Sequence, residues 1–185
     1  MNQKGSNWYI HAVLYVIIAV LVYILIKVAI IDPTEQITSE NFYQTESRLR
    51  MENIKQAQIL WQKKFNNFTD KLDSLVYFVK TNDEVQNLIV GVDTLTNRST
   101  NPFKKLSNGE FVPDSLLFSP KSHRPYILKV DTTTTVDTII NRVGKIIKID
   151  TKTVIGTLYF LQCPDGYGTI GDIESPNLRN TASWE

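Results

Sequence analysis

The stretch WYIHAVLYVIIAVLVYILIKVAII, Trp8 to Ile31, constrains this chain more than any other. Among its twenty-four residues, only His11 and Lys27 can carry charge near neutral pH. At about 1.5 Å of rise per residue, a helix of this length reaches roughly 36 Å, enough to cross a hydrocarbon core of about 30 Å with some tilt. Lys27 stands about one turn from the end, where its stem stays in lipid while the ammonium snorkels to the interface. Trp8 and Tyr9 suit the opposite interface, as an aromatic belt does. A cleaved signal peptide has a shorter apolar core, about 7–15 residues, and a small-residue cleavage site. Here the run is longer, and Ala29-Ile30-Ile31-Asp32-Pro33 is a poor site. A buried core helix is disfavoured by so long a β-branched run near the N-terminus. The stretch reads as an uncleaved signal anchor, a single transmembrane helix.

The flanks set the orientation. Met1 to Asn7 carries Lys4 and the terminal amine and no acid, whereas the other flank opens with Asp32, Glu35, Glu40 and Glu46 before Arg48. Weighting Lys and Arg over acids places the N-terminus in the cytoplasm and the bulk of the chain outside, with Lys27 arguing mildly the other way. The formal net charge of +1 excludes a strong field directed at nucleic acid or an acidic ligand. The lone Cys163 excludes an internal disulfide framework and a cysteine-built structural zinc site within one chain. An outer domain without disulfides suits a bacterial periplasm. Asn67-Phe68-Thr69 and Asn97-Arg98-Ser99 match the glycosylation triplet, a pattern common by chance.

Past the membrane, Asp32-Pro33 breaks or kinks the helix, and Thr34 or Ser39 caps a restart. Helix formers dominate from Glu40 to Lys64. Met51, Ile54, Trp61 and Phe65 form a stripe at three- and four-residue steps, and Phe68, Leu72, Leu75 and Val79 extend it. The stripe is either a coiled-coil seam or one helix packing on its own domain. Ser47 and Gln58 at seam positions favour the second. Asn66-Asn67 ends the helix near Phe65, and Thr69-Asp70 caps a short helix to about Lys80. Leu88-Ile89-Val90-Gly91-Val92 has strand character. Pro102, Pro113, Pro120 and Asn108-Gly109 punctuate a polar, loop-rich middle.

The last third alternates as β structure does. Pro125–Asp131, Thr133–Ile140, Val143–Asp150 and Thr153–Cys163 read as four strands whose short gaps permit only antiparallel pairing. Pro164 to Glu185, with Gly166, Gly168 and Gly171, reads as an ordered loop finishing with Trp184. The fold class is therefore α+β: an N-terminal transmembrane helix continuing into a long amphipathic helix, packed on a C-terminal antiparallel β-meander. The parts are a cytoplasmic tail (1–7), the span (8–31), a helical stalk (32–80) with a break near 66–69, a connector (81–124) and the β region (125–185).

The run from Ile54 to Leu75, IKQAQILWQKKFNNFTDKLDSL, resembles a stretch in bacterial type IV pilins and type II secretion pseudopilins. There a membrane-rooted helix with an Ala-Gln-like step ends at a small turn, an aromatic residue and a short Leu-rich helix. The order of parts is similar too: span, amphipathic helix, variable loop, antiparallel sheet, glycine-rich C-terminal loop. The resemblance implies a pilin-like fold and a structural subunit that works through protein–protein interaction. It does not extend to prepilin processing, because Gly5 is followed by Ser6-Asn7-Trp8 and no acid occurs before Asp32. The chain is also similar in layout to bitopic assembly proteins of pilus, secretion and division machines.

Chemistry is sparse. His123 and Cys163 could make a base and nucleophile, but neither has a recognisable setting, and Cys163 suits a small buried position at a strand end. His11 suits an interfacial ring. No P-loop, nucleotide-binding glycine pattern, zinc helix or nucleophile elbow occurs, so no catalytic residue, organic cofactor or enzymatic role is expected. Asp165, Asp172 and Glu174 lie within ten residues on a glycine-rich loop, an oxygen set compatible with calcium, with a solvated acidic turn as the alternative. The calcium-binding C-terminal loops of some pseudopilins raise the first.

These features lead to an expected function: a single-pass bacterial inner-membrane protein, a structural or assembly subunit of an envelope complex. The alternatives are an accessory subunit of a membrane energy-converting enzyme complex, or a ligand-sensing periplasmic domain. Trp61, Phe65, Phe68 and Leu72 are the candidate interaction residues, and Trp8, Tyr9 and Lys27 the membrane-interface residues. The expected partners are the membrane, other membrane or envelope proteins, and a second copy through the stalk, with no nucleic acid.

Overall fold

The computed structural model describes residues 7–140 and 145–185, so the expected cytoplasmic tail up to Ser6 and the start of the strand expected from Val143 lie outside the described residues. The chain is α+β and divides into two compact units, Met1–Tyr43 and Gln44–Glu185.

The first unit is helical: α1 (Asn7–Ile26), a π turn (Lys27–Ile31) and the beginning of α2 (Asp32–Phe65). No break occurs at Asp32-Pro33, and the hydrogen-bonded helix runs on from Trp8 to Phe65. Proline has no N–H to offer the carbonyl four residues back. The turn before it widens instead, with the Asp32 N–H on the Lys27 carbonyl, which lets an irregular turn sit inside a continuous helix. Thr34 donates backward to the Ile30 carbonyl at 2.6 Å, and Ser39 to the Gln36 carbonyl at 2.9 Å, so neither caps a restart.

The second unit is built on the C-terminal half of α2. Met51, Ile54 and Ala57 are fully buried, and so are three polar neighbours, Ser47, Asn53 and Gln58. The part of the stripe around Met51, Ile54 and Ala57 is thus core of its own domain, and its polar neighbours have partners. Asn53 holds Lys104 in both directions, donating to its carbonyl at 2.9 Å and accepting its N–H at 2.7 Å. Gln58 does the same to Thr69, donating at 2.6 Å and accepting at 3.2 Å. Ser47 lies 3.0 Å from the Tyr126 hydroxyl and 3.1 Å from the Cys163 sulfur. Glu46 accepts the Ser107 N–H at 3.0 Å and hydroxyl at 2.6 Å, and pairs with Arg50 at 3.2 Å. One helix face thereby fixes the connector, the corner and the sheet.

Helix α2 ends where the paired asparagines predict. Asn66 takes the left-handed conformation at φ 59° and returns its N–H to Gln62 at 2.8 Å. After the corner comes α3 (Leu72–Thr81), which buries Leu75, Val76, Phe78 and Val79. The strand expected at Leu88–Val92 is instead the end of α4 (Asp83–Val90) and the residues after it. Asn82 supplies the reason: its side chain accepts the N–H groups of Glu84 and Val85, and Asp83 and Glu84 complement the first-turn dipole. Those start signals outweigh the β preference of the segment.

The four expected strands are two long ones, β1 (Ile127–Ile140) and β2 (Ile146–Gln162), with a two-residue β3 (Thr169–Ile170) in an antiparallel sheet ordered β1-β2-β3. The gaps expected between strands at Thr132 and at Thr151-Lys152 continue as strand. Register passes from Val130↔Tyr159 to Thr132↔Ile155, so Asp131 faces a bulge of Gly156, Thr157 and Leu158. The Asp131 carboxylate fills the gap, accepting the Leu158 N–H at 2.5 Å and the Thr157 hydroxyl. Gly156 has φ +78°, and a Cβ there would meet the Phe68 carbonyl oxygen at 2.4 Å. The Phe68 N–H donates to the Gly156 carbonyl at 2.7 Å, which docks the helical corner on the bulge. On the core side, Tyr159 and Leu161 are fully buried, with the Phe68 ring 4.7 Å from Tyr159. The tail is ordered as expected, with Arg48 bonded to the Tyr167 carbonyl and set over Trp184.

Candidate functional site

The four interaction residues singled out in the sequence separate into two environments. Phe68 is 2 % exposed and belongs to the core, and Leu72 is partly covered at the start of α3. Trp61 and Phe65 instead join Phe78 in an aromatic cluster with ring centroids 4.4–5.8 Å apart. Their outer side forms an open groove of about 670 Å³, completed by Asp73, Ser74 and Tyr77. Phe65 is 47 % and Tyr77 69 % exposed at this groove. The Trp61 indole N–H is buried without a hydrogen-bond partner among the described residues. Chemically, the groove offers an aromatic wall to an apolar side chain.

A larger surface was missed in the sequence. Beyond the bulge, β1 and β2 leave the core as a two-stranded ribbon. The pairs Thr132↔Ile155, Thr134↔Thr153, Val136↔Thr151 and Thr138↔Ile149 lie on one side of it, since cross-strand partners share a face. All eight are exposed and none is charged. β1 is an edge strand, and β2 meets β3 only at Leu161 and Gln162. Among the described residues no further strand is laddered to the outer edge of either ribbon strand, the arrangement to which another strand can add. A two-stranded ribbon is marginally stable alone in water, so such a surface gains from being covered. Its signal in the sequence was the long β-branched run Thr132 to Ile140.

The three acids considered for calcium do not converge. Asp165 turns to the Ser119 hydroxyl and to Arg124 at 3.3 Å, and Asp172 accepts the Glu174 N–H at 2.9 Å in a local turn. No cluster of three or more potential metal-ligating side chains occurs among the described residues. Burial raises the Asp165 pKa, but bonds from Ser119, Ser122 and Arg124 outweigh it and hold the carboxyl below its ordinary range. The same balance holds for Glu46, where burial is outweighed by Ser107 and Arg50. Both carboxylates have structural partners. Cys163 is buried beside Ser47 and Tyr126, while His123 occupies an exposed left-handed position, φ 52°. Burial raises the Tyr126 hydroxyl pKa strongly, against the hydrogen bond from Ser47.

Trp8, Tyr9 and Lys27 are all exposed on the apolar helix, with Trp8 and Tyr9 in ring contact at 4.7 Å. This helix is the one among the described residues that is long and apolar enough to cross a membrane. Compared with protein-family models, curated protein sequences and solved structures, the chain matches none.

Proposed function

We propose that this chain is a single-span, membrane-anchored structural or assembly subunit of a bacterial envelope complex. Its N-terminus lies in the cytoplasm and the unit Gln44–Glu185 in the periplasm. The observation that carries this reading is the helix from Trp8, whose apolar residues are wholly uncovered by the rest of the chain. In water that surface would be an aggregation liability, and in a bilayer it is an anchor. The uncharged face of the ribbon supports the assembly role, because it offers neighbours an exposed surface beside two strand edges. The pseudopilin-like order of parts favours the same class.

Alkaline carbonate extraction and protease digestion of spheroplasts test the anchor and its orientation. The intact chain should stay with the membrane pellet, and cleavage at exposed loops such as Asn108-Gly109 should occur only from outside. Crosslinking followed by mass spectrometry tests the assembly role. Recovery of envelope structural proteins supports it, whereas recovery of haem or quinone enzymes favours an accessory subunit of an energy-converting complex.

A further inference from the structure

Helix α1 is two-sided in a way that a lipid anchor does not require. At about 100° per residue, every side chain bearing a polar hydrogen from Trp8 to Lys27 falls within an arc of about 160°. These are Trp8, Tyr9, His11, Tyr15, Tyr23 and Lys27, with Ala12 and Ala19 in the middle of the same arc. The opposite side holds only Val, Ile and Leu.

Tyr15 and Tyr23 lie about 7 and 5 Å from the midpoint of the span along its axis, well inside a hydrocarbon half-thickness of about 15 Å. They are 71 % and 66 % exposed, and no hydrogen bond within the chain involves their hydroxyls among the described residues. A hydroxyl without a partner in hydrocarbon is costly, so in membranes such groups face other helices, and small residues let the backbones approach.

We propose that this face of α1 packs against a transmembrane helix of a different protein. That helix would offer hydrogen-bond acceptors at the depths of Tyr15 and Tyr23 and a carboxylate near Lys27. A second copy fits poorly. Parallel two-fold pairing through this face brings Lys27 against Lys27 at one depth, a like-charge contact that a partner carboxylate turns into an ion pair. The inference rests on the membrane reading above and names the partner that reading leaves open.

The test is photo-crosslinking of the full chain in its native membranes. A benzoyl-phenylalanine is placed singly at Tyr15, Ala19 or Tyr23, and at Ile17, Leu21 or Ile24 on the aliphatic side. The expected result is one adduct from the first three positions and none from the others. Its crosslinked peptide should be an apolar segment of membrane-spanning length that carries an acid near one end. Tyr15→Phe with Tyr23→Phe should weaken copurification of that protein about ten-fold, as expected for two interhelical hydrogen bonds. Lys27→Met should weaken it further, while Lys27→Arg should not. Equal adducts from both sides, an adduct with a second copy, or no adduct from a chain that resists carbonate washing each overturn the inference alone. A chain released by carbonate overturns the membrane reading with it.

Discussion

Gln58 joins α2 to the corner after it through two bonds to one backbone unit, and its replacement by an isosteric acid makes a discriminating test. Gln58→Leu leaves the buried Thr69 N–H and carbonyl without partners, each orphan worth about 1–3 kcal/mol, for a loss of about 2–6 kcal/mol. Against a typical domain stability of about 5–15 kcal/mol the variant still folds. Gln58→Glu behaves differently with pH. Protonated, the introduced carboxyl donates to the Thr69 carbonyl and accepts its N–H as the amide did. Ionised, it can donate nothing and is a buried charge facing a carbonyl, so its folded-state pKa rises above the unfolded value of about 4.3. The folded state then holds the proton more tightly than the unfolded one. The deficit against the native chain is small below about pH 4 and grows as pH rises through the folded-state pKa. With each pKa unit worth about 1.4 kcal/mol and burial able to add up to about 3 units or more, it levels off at about 3–5 kcal/mol.

The assay is urea unfolding of both chains in mild detergent at a series of pH values, followed by tryptophan fluorescence. Taking the difference between chains at each pH cancels the titration of Glu46 and every other shared group. A deficit that is flat with pH, or equal for Gln58→Leu and Gln58→Glu, would refute the two-bond clasp.

Other outcomes follow from the same structure. Gly156→Ala combines a left-handed residue with a Cβ 2.4 Å from the Phe68 oxygen and should cost about 2–4 kcal/mol, lowering the thermal midpoint by about 10 °C. Glu46 and Asp165, with folded pKa values below their unfolded ones, stabilise the fold above about pH 4.5, a contribution lost as pH falls through the folded values. Glu46→Gln should therefore flatten the acid limb of a stability–pH curve. The Tyr126 hydroxyl, raised by burial, stabilises the fold below about pH 10 and stops doing so as pH climbs past it, so Tyr126→Phe should resist alkaline unfolding better than the native chain. Val136→Lys with Ile149→Lys, both on the exposed ribbon face, should change stability by about 0.5 kcal/mol or less each while abolishing crosslinking to the proposed envelope proteins.

Much of the fold was legible where one local signal spoke without competition. Asn66-Asn67 marked the end of α2 because few residues accept a left-handed φ, and the Met51-Ile54 stripe marked the buried side because its period is helical. The errors came where two signals conflicted. At Leu88–Val92 a β-branched run competed with the Asn82 cap, and the cap won because it satisfies two N–H groups at once. At Asp131 a turn-forming residue lay inside a strand, and its carboxylate substitutes for missing ladder partners, a long-range role that no local window contains. Of the site, the aromatic groove was half legible: Trp61 and Phe65 line it, while Phe68 belongs to the core. Asp165, Asp172 and Glu174 were close in sequence only, because proximity along a loop does not aim carboxylates at one point.

The bulge at Asp131 and Gly156 explains how the domain can carry an exposed ribbon at all. Because the register shifts by two residues, the alternation that buries Tyr159 and Leu161 carries on past the bulge, and the charge-free face of the outer half continues the core-facing side of the ladder. The shift by two residues and the positive φ at Gly156 bend the ladder there, and Phe68 is bonded to the bend. Val136, Thr138, Ile149 and Thr151, farther along the ribbon, are exposed. Substitutions on the exposed ribbon face therefore leave the core packing in place, whereas substitutions at Asp131, Gly156 or Phe68 disturb the bulge that joins the ribbon to the core. That difference lets Val136 and Ile149 be tested as contact residues without unfolding the domain.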